Sequence, residues 1–195
     1  MYVNGDYGPG ISNEVAVMVC SAPSLRDVRM TGSFHPSFYE TLAKGGMKAA
    51  VHTLEIEIYT PLSSASSHHL VEALCSLPNL TNLTLSGMYY QEELYSQLKE
   101  KASTLKVHTL KIENYQPLSS ASSHHLAEAL CFLPNLTNLT LSGIYYQEEL
   151  YSQLNEKAST LKDSFPQMRK GNFIFNGKPQ KDLQSFLQAV SDEIG

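Results

Sequence analysis

The sequence predicts an α/β solenoid, with parallel strands on a concave face and helices on the convex side. Three observations carry that prediction. Residues 51–106 recur as residues 107–162 with 49 of 56 positions identical. Each copy divides into two halves that open on the same apolar spacing, and each half runs on into a stretch with helical periodicity. A fixed period of this kind marks stacked units, none of which can hide its apolar face alone.

The strand of each unit is read from an L-x-x-L-x-L spacing. It begins at Leu25, Val51, Leu80, Val107 and Leu136, as in Val51-x-x-Leu54-x-Ile56 and Leu80-x-x-Leu83-x-Leu85. The last two apolar residues of each motif lie two apart and share one side of a strand, while their neighbours face solvent. The helices follow. Leu70, Ala73, Leu74 and Leu77 recur at helical spacing until Pro78 stops the run. In the other half Leu94 and Leu98 lie four apart, and Glu92 and Glu93 sit at the favourable end of the helix dipole.

The ends read as imperfect units around the repeats of residues 25–162. Residues 14–23 align with residues 69–78, so residues 1–24 are expected to form a helix with no strand before it. Phe38 to Ala50 keeps the spacing of Leu94 to Lys106. Residues 163–195 are expected to hold a degenerate last strand at Phe173–Gly177 and then a closing helix, whose stripe is Leu183, Phe186, Leu187, Val190 and Ile194. The first helix has no such lid. The chain therefore reads as the C-terminal part of a longer solenoid, expected to self-associate around Val15, Val17 and Val19.

Composition narrows the function classes. The chain has 195 residues with 14 lysines and arginines against 19 acids, a net charge of −5, which argues against a nucleic-acid binder. With 42% apolar and 17% charged residues it should be globular, with no membrane span. MYVNGDYGPG shows no basic cluster followed by an apolar stretch. Cys20, Cys75 and Cys131 share one repeat position and cannot all pair, which favours a reducing, cytoplasmic setting and suggests stacked core thiols.

Units of about 28 residues with this motif and a true helix resemble ribonuclease-inhibitor-type leucine-rich repeats. Residues 74–85, Leu-Cys-Ser-Leu-Pro-Asn-Leu-Thr-Asn-Leu-Thr-Leu, are most similar to repeat domains of NOD-like receptors, especially those resembling the CARD-containing inflammasome type. The likeness covers about residues 11–162. It implies a sensing or autoinhibitory arm only, because the G-x-x-x-x-G-K-[ST] phosphate loop of a NACHT module does not occur: neither Gly45-Gly46-Met47-Lys48 nor Gly177-Lys178-Pro179 meets its spacing.

In such an arc the outward strand positions form the partner surface. They are Arg26, Asp27 and Arg29, then His52, Thr53, Glu55 and Glu57, then Thr81, Asn82 and Thr84. His108, Thr109, Lys111, Glu113 and Asn114 follow, with Thr137, Asn138 and Thr140 last. Arg29 and Glu55 are expected to pair across strands. Two of the seven differences between the copies, Glu55/Lys111 and Ile58/Asn114, are placed on this face, with Thr60/Gln116 just beyond. Either the display face changes while the frame is kept, or exposed residues drift.

Other chemistry reads as architecture. His68-His69 and His124-His125 invite a metal, but adjacent helical residues diverge by about 100° and no closing ligand lies nearby in sequence, so none is expected. Ser63, Ser64, Ser66 and Ser67 read as helix caps in preference to phosphorylation sites. Tyr89-Tyr90 and Tyr145-Tyr146 read as half-buried rings, and the Asn-Leu-Thr triplets as products of the repeat motif. No cofactor or catalytic set is expected. The functional expectation is a noncatalytic module holding a protein or microbial ligand on its concave face; the alternative is a stand-alone scaffold regulating a partner enzyme.

Overall fold

A computed structural model describes residues 1–45, 51–87, 92–114, 116–142, 148–157, 172–175 and 178–180, together with residues 185 and 188. Strands and helices alternate. The order is β1 (Tyr2–Asn4), α1 (Pro9–Ser21), β2 (Asp27–Gly32), α2 (Pro36–Gly45), β3 (Thr53–Ile58), α3 (Ser64–Cys75), β4 (Asn82–Ser86) and α4 (Glu92–Lys101). It continues with β5 (Thr109–Glu113), α5 (Ser120–Phe132), β6 (Asn138–Ser142), α6 (Glu148–Glu156), β7 (Asn172–Phe175) and β8 (Lys178–Gln180).

All eight strands form one sheet in chain order; β1 to β7 are parallel and β8 returns antiparallel beside β7. The register follows the leucines. Val28, Leu54, Leu83, Leu110 and Leu139 stand side by side in one row, and Met30, Ile56, Leu85, Ile112 and Leu141 in another. All ten are buried. The helices bring Leu70 and Leu74, Leu94 and Leu98, Leu126 and Leu130, and Leu150 and Leu154 onto the same core. Because adjacent strands lie about 4.8 Å apart and packed helices about 8–10 Å, the stack bends with its helix-free face inward. This is a leucine-rich-repeat-type solenoid.

Local chemistry fixes the turns. Ser63 and Ser119 cap α3 and α5, their hydroxyls accepting the backbone N–H of Ser66 at 3.1 Å and of Ser122 at 3.0 Å. Gly87 leaves β4 at φ +68°, and a Cβ there would lie 2.7 Å from the Ile58 carbonyl oxygen. Only glycine allows the chain to turn that close to β3.

The structure corrects several expectations. Residues 1–24 hold a strand as well as a helix, since β1 pairs with β2 through Val3 opposite Met30. Val19 is wholly buried, whereas Val17 is exposed and Val15 half-buried. The degenerate last strand is present as β7, and β8 was not anticipated. The expected closing helix and both tyrosine pairs lie outside the described residues, apart from Ser185 and Gln188, which are helical.

Candidate functional site: the helix-free face of the sheet

Residues that alternate with the core rows build three outward ladders. The first runs Asp27, Thr53, Asn82, Thr109 and Asn138; the second Tyr2, Arg29, Glu55, Thr84, Lys111, Thr140 and Ile174; the third Asn4, Thr31, Glu57, Ser86, Glu113 and Ser142, of which Thr31 and Ser86 share the outward parity but are themselves buried. Before them, a backbone chain links one strand entrance to the next: His52 and Thr53 donate to the Arg26 carbonyl, Thr81 to His52, His108 to Thr81, and Thr137 to His108.

The charges sort themselves along the second and third ladders. The Arg29 guanidinium lies 3.4 Å from the Glu55 carboxylate and 3.8 Å from that of Glu57, so one cation serves two anions. It also rests 5.7 Å from the centre of the Tyr2 ring. Two strands on, Lys111 holds Glu113 at 2.8 Å, and the Ser142 hydroxyl donates to the same carboxylate at 3.4 Å. The face is therefore acidic around β3 and carries a compensated pair at β5. An open depression of about 500 Å³ lies at its β1–β3 end, lined by Met1, Tyr2, Asp27, Arg29, Thr53 and Glu55.

Threonine and asparagine strands tie the sheet together. Asn82 donates to the Thr53 hydroxyl at 3.5 Å and Asn138 to that of Thr109 at 3.1 Å, while the Thr81 and Thr137 hydroxyls donate to the His52 and His108 carbonyls at 3.2 Å each. These side chains reach backward along the sheet, and Asn82, Thr84, Asn138 and Thr140 are all half-buried.

Of the anticipated face residues, Arg29, Glu55, Glu57, Thr84, Lys111, Glu113 and Thr140 fall on the ladders. Arg26, His52 and His108 stand at the strand entrances, Arg26 and His108 exposed and His52 half-buried. Asn114 does not belong to the face. It shares the inward parity of Leu110 and Ile112, is 2% exposed, and its Oδ1 has no hydrogen-bond partner among the described residues. Its counterpart Ile58 is likewise fully buried. The Ile58/Asn114 difference is thus a change in the core, and Glu55/Lys111 is the difference that alters the display. Sequence reasoning missed Tyr2, because no leucine motif marked β1.

On the opposite side the histidine pairs join helices. His68 Nδ1 lies 3.0 Å from Gln97 Oε1 and His124 Nδ1 3.1 Å from Gln153 Oε1, while their Nε2 atoms lie 3.3 Å from Glu72 and Glu128. Glu128 also meets Lys99 at 2.6 Å and Lys157 at 3.5 Å. The hydrogen bond from Lys99 holds its carboxyl below the usual carboxylate range. Among the described residues no group of three or more His, Cys, Asp or Glu is placed to hold a metal. Cys20, Cys75 and Cys131 are unpaired thiols, and burial raises all three, Cys131 to about 11. No described helix is long and apolar enough to cross a membrane.

No family model matches the sequence. The chain is similar to F-box protein SKIP17 of Arabidopsis thaliana, 33% identical over 95 residues, covering 48% of this chain and 20% of that protein. It is also similar to NACHT, LRR and PYD domains-containing protein 12 of Homo sapiens, 35% identical over 102 residues, covering 49% of this chain and 9% of that protein. The chain thus spans a fifth or less of the curated relatives it matches. With the solenoid they support a leucine-rich-repeat-type domain.

Proposed function

We propose that this chain is a noncatalytic recognition arc that holds a protein or microbial ligand on its helix-free face. The observation that carries the reading is the charge difference laid on a common frame: Glu55 and Lys111 occupy one outward ladder in otherwise near-identical units, two strands apart. A change of sign there alters which partner groups are accepted while the leucine rows beneath stay in place. The binding residues are Arg26, Arg29, His52, Glu55, Glu57, Thr84, His108, Lys111, Glu113 and Thr140. The relative with NACHT and LRR in its name favours placing the arc in a cytoplasmic NOD-like innate immune receptor, as its sensing or autoinhibitory arm.

The F-box relative favours a second reading, a scaffold or inhibitor that presents or blocks a partner protein without an immune role. One experiment tests the shared part. Partners are captured with the wild type, with the swap Glu55→Lys/Lys111→Glu, and with Glu100→Lys on the exposed side of α4 as control. Partners kept by the wild type and control and lost by the swap support the reading; partners indifferent to the swap refute it. Sequencing the full transcript for an adjoining NACHT or death-fold segment then separates the two settings.

A further inference from the structure

We propose that the helix-free face seats an α-helix of a partner protein, laid across the strands along the second ladder, with an acidic side chain on Arg29, a basic one on Glu55, a small one on Thr84 and an acidic one on Lys111. This rests on the recognition reading above and adds the partner's shape and charge order. Of the three ladders the second is the most open. On the third, Thr31 and Ser86 are buried, and the side chains of Glu57 and Glu113 are only 21% and 27% exposed. On the first, Asn82 and Asn138 each spend an amide N–H on Thr53 and Thr109. The side chains of Arg29, Glu55 and Lys111 are 50%, 34% and 42% exposed. Their contacts within the chain can be shared. Arg29 meets Glu55 and Glu57 at 3.4 and 3.8 Å, beyond the usual length of a charged hydrogen bond, and a guanidinium carries five N–H groups. Lys111 gives Glu113 one of the three contacts its ammonium can make, and ion pairs this exposed hold weakly.

Spacing selects the helix. Neighbouring strands lie about 4.8 Å apart, and one turn of α-helix rises about 5.4 Å. A helix lying along the ladder therefore brings one side chain to each strand, at i, i+4, i+7 and i+11, all on one face. From Arg29 to Lys111 the register runs through three strand-to-strand steps. These span about 14.4 Å against about 16.2 Å for three turns, so the misfit is about 1 Å at either end and within side-chain reach. An extended chain fits poorly. Its same-face residues are about 6.8 Å apart and slip by almost a whole rung in two steps. Its N–H and C=O groups would also lie against side chains with no ladder to join, whereas a helix satisfies its own. The ladder reads positive at β2, negative at β3, uncharged and half-buried at β4, and positive at β5. Its complement is acid, base, small, acid.

Two helical peptides of about 20 residues test this, alike in composition and net charge and stapled on the side away from the ladder so that both are helical before binding. One carries Glu, Lys, Ala and Glu at i, i+4, i+7 and i+11; the other carries Glu, Glu, Ala and Lys. Each is titrated by fluorescence anisotropy against the full chain and against Glu55→Lys/Lys111→Glu. The wild type is expected to prefer the first peptide by about tenfold, and the swapped variant, with an unchanged far-UV spectrum, to prefer the second by a similar factor. The first sequence left unstapled and broken by prolines is expected to bind the wild type about tenfold more weakly than its stapled form. The two stapled peptides compared on the wild type give a readout free of mutation. Equal affinity for them, no binding of either up to about 1 mM, a folded swapped variant that keeps the wild-type preference, or equal binding of the proline-broken peptide overturns the proposal. If captured partners still depend on Glu55 and Lys111 in any of those cases, the recognition reading stands and the helix alone is refuted; if they do not, both fail.

Discussion

Replacing Asn114 by isoleucine restores the residue that the first copy carries at the equivalent place, and the two copies supply the comparison needed to judge the outcome. Asn114 is 2% exposed, with an Oδ1 that has no partner among the described residues, whereas Ile58 is fully buried in the same local frame. An amide oxygen buried without a partner costs about 1–3 kcal/mol. Burying an isoleucine side chain gains about 1.5–3 kcal/mol. Part of the sum is lost in fitting the branched chain beside Ser142, whose carbonyl accepts the Asn114 N–H at 3.1 Å. We expect Asn114→Ile to stabilise by about 2–4 kcal/mol, and Ile58→Asn to destabilise by a similar amount. At about 2–4 °C per kcal/mol for a chain of this size, the thermal midpoint followed by circular dichroism rises by about 4–16 °C. Urea midpoints should move in parallel. An Asn114→Ile midpoint that is unchanged or lower would show that the amide is satisfied, and the inward reading of this position would fail.

Two other perturbations follow from the same structure. Lys99 hydrogen-bonds Glu128 and lowers its carboxyl; a group depressed in the folded state contributes stability above its unfolded pKa of about 4.3 and loses it as pH falls through the lower folded value. Lys99→Asn, the second copy's residue, should therefore move acid unfolding to higher pH, and an unchanged acid midpoint would contradict the pairing. Gly87→Ala places a Cβ 2.7 Å from the Ile58 oxygen at φ +68° and should cost about 1–3 kcal/mol in a urea melt; a neutral result would mean that the turn relaxes freely.

What the sequence discloses is the part enforced by repetition. Leucines two apart, returning every 26 to 29 residues, leave one way to bury them, and the rows from Val28 to Leu139 stand in that register. β1 escaped notice because a three-residue strand with a single buried side chain, Val3, has no periodicity to read. Ile58 and Asn114 are both misplaced on the face, although their two-residue spacing from Ile56 and Ile112 gives them the inward parity of the core rows. The sequence Asn176-Gly177 between β7 and β8 was an available hairpin signal. The Arg29–Glu55 pair could be foreseen from register alone, but the sharing of Arg29 with Glu57 and the Lys111–Glu113 contact depend on side-chain reach, which spacing does not encode.

The backward clips from Asn82 to Thr53 and from Asn138 to Thr109 mean that consecutive turns of the chain are unlike partners, one offering a threonine hydroxyl and the next supplying the amide that takes it. Losing β4 alone would set Thr53 against Thr109, and losing β5 alone would set Asn82 against Asn138 and leave the later amide without its hydroxyl. Removing or adding two together keeps every clip in place. A gene encoding this protein can accordingly lengthen or shorten its arc in steps of 56 residues without disturbing the joints, and each added step extends every outward ladder by two rungs on which a new charge can be tried.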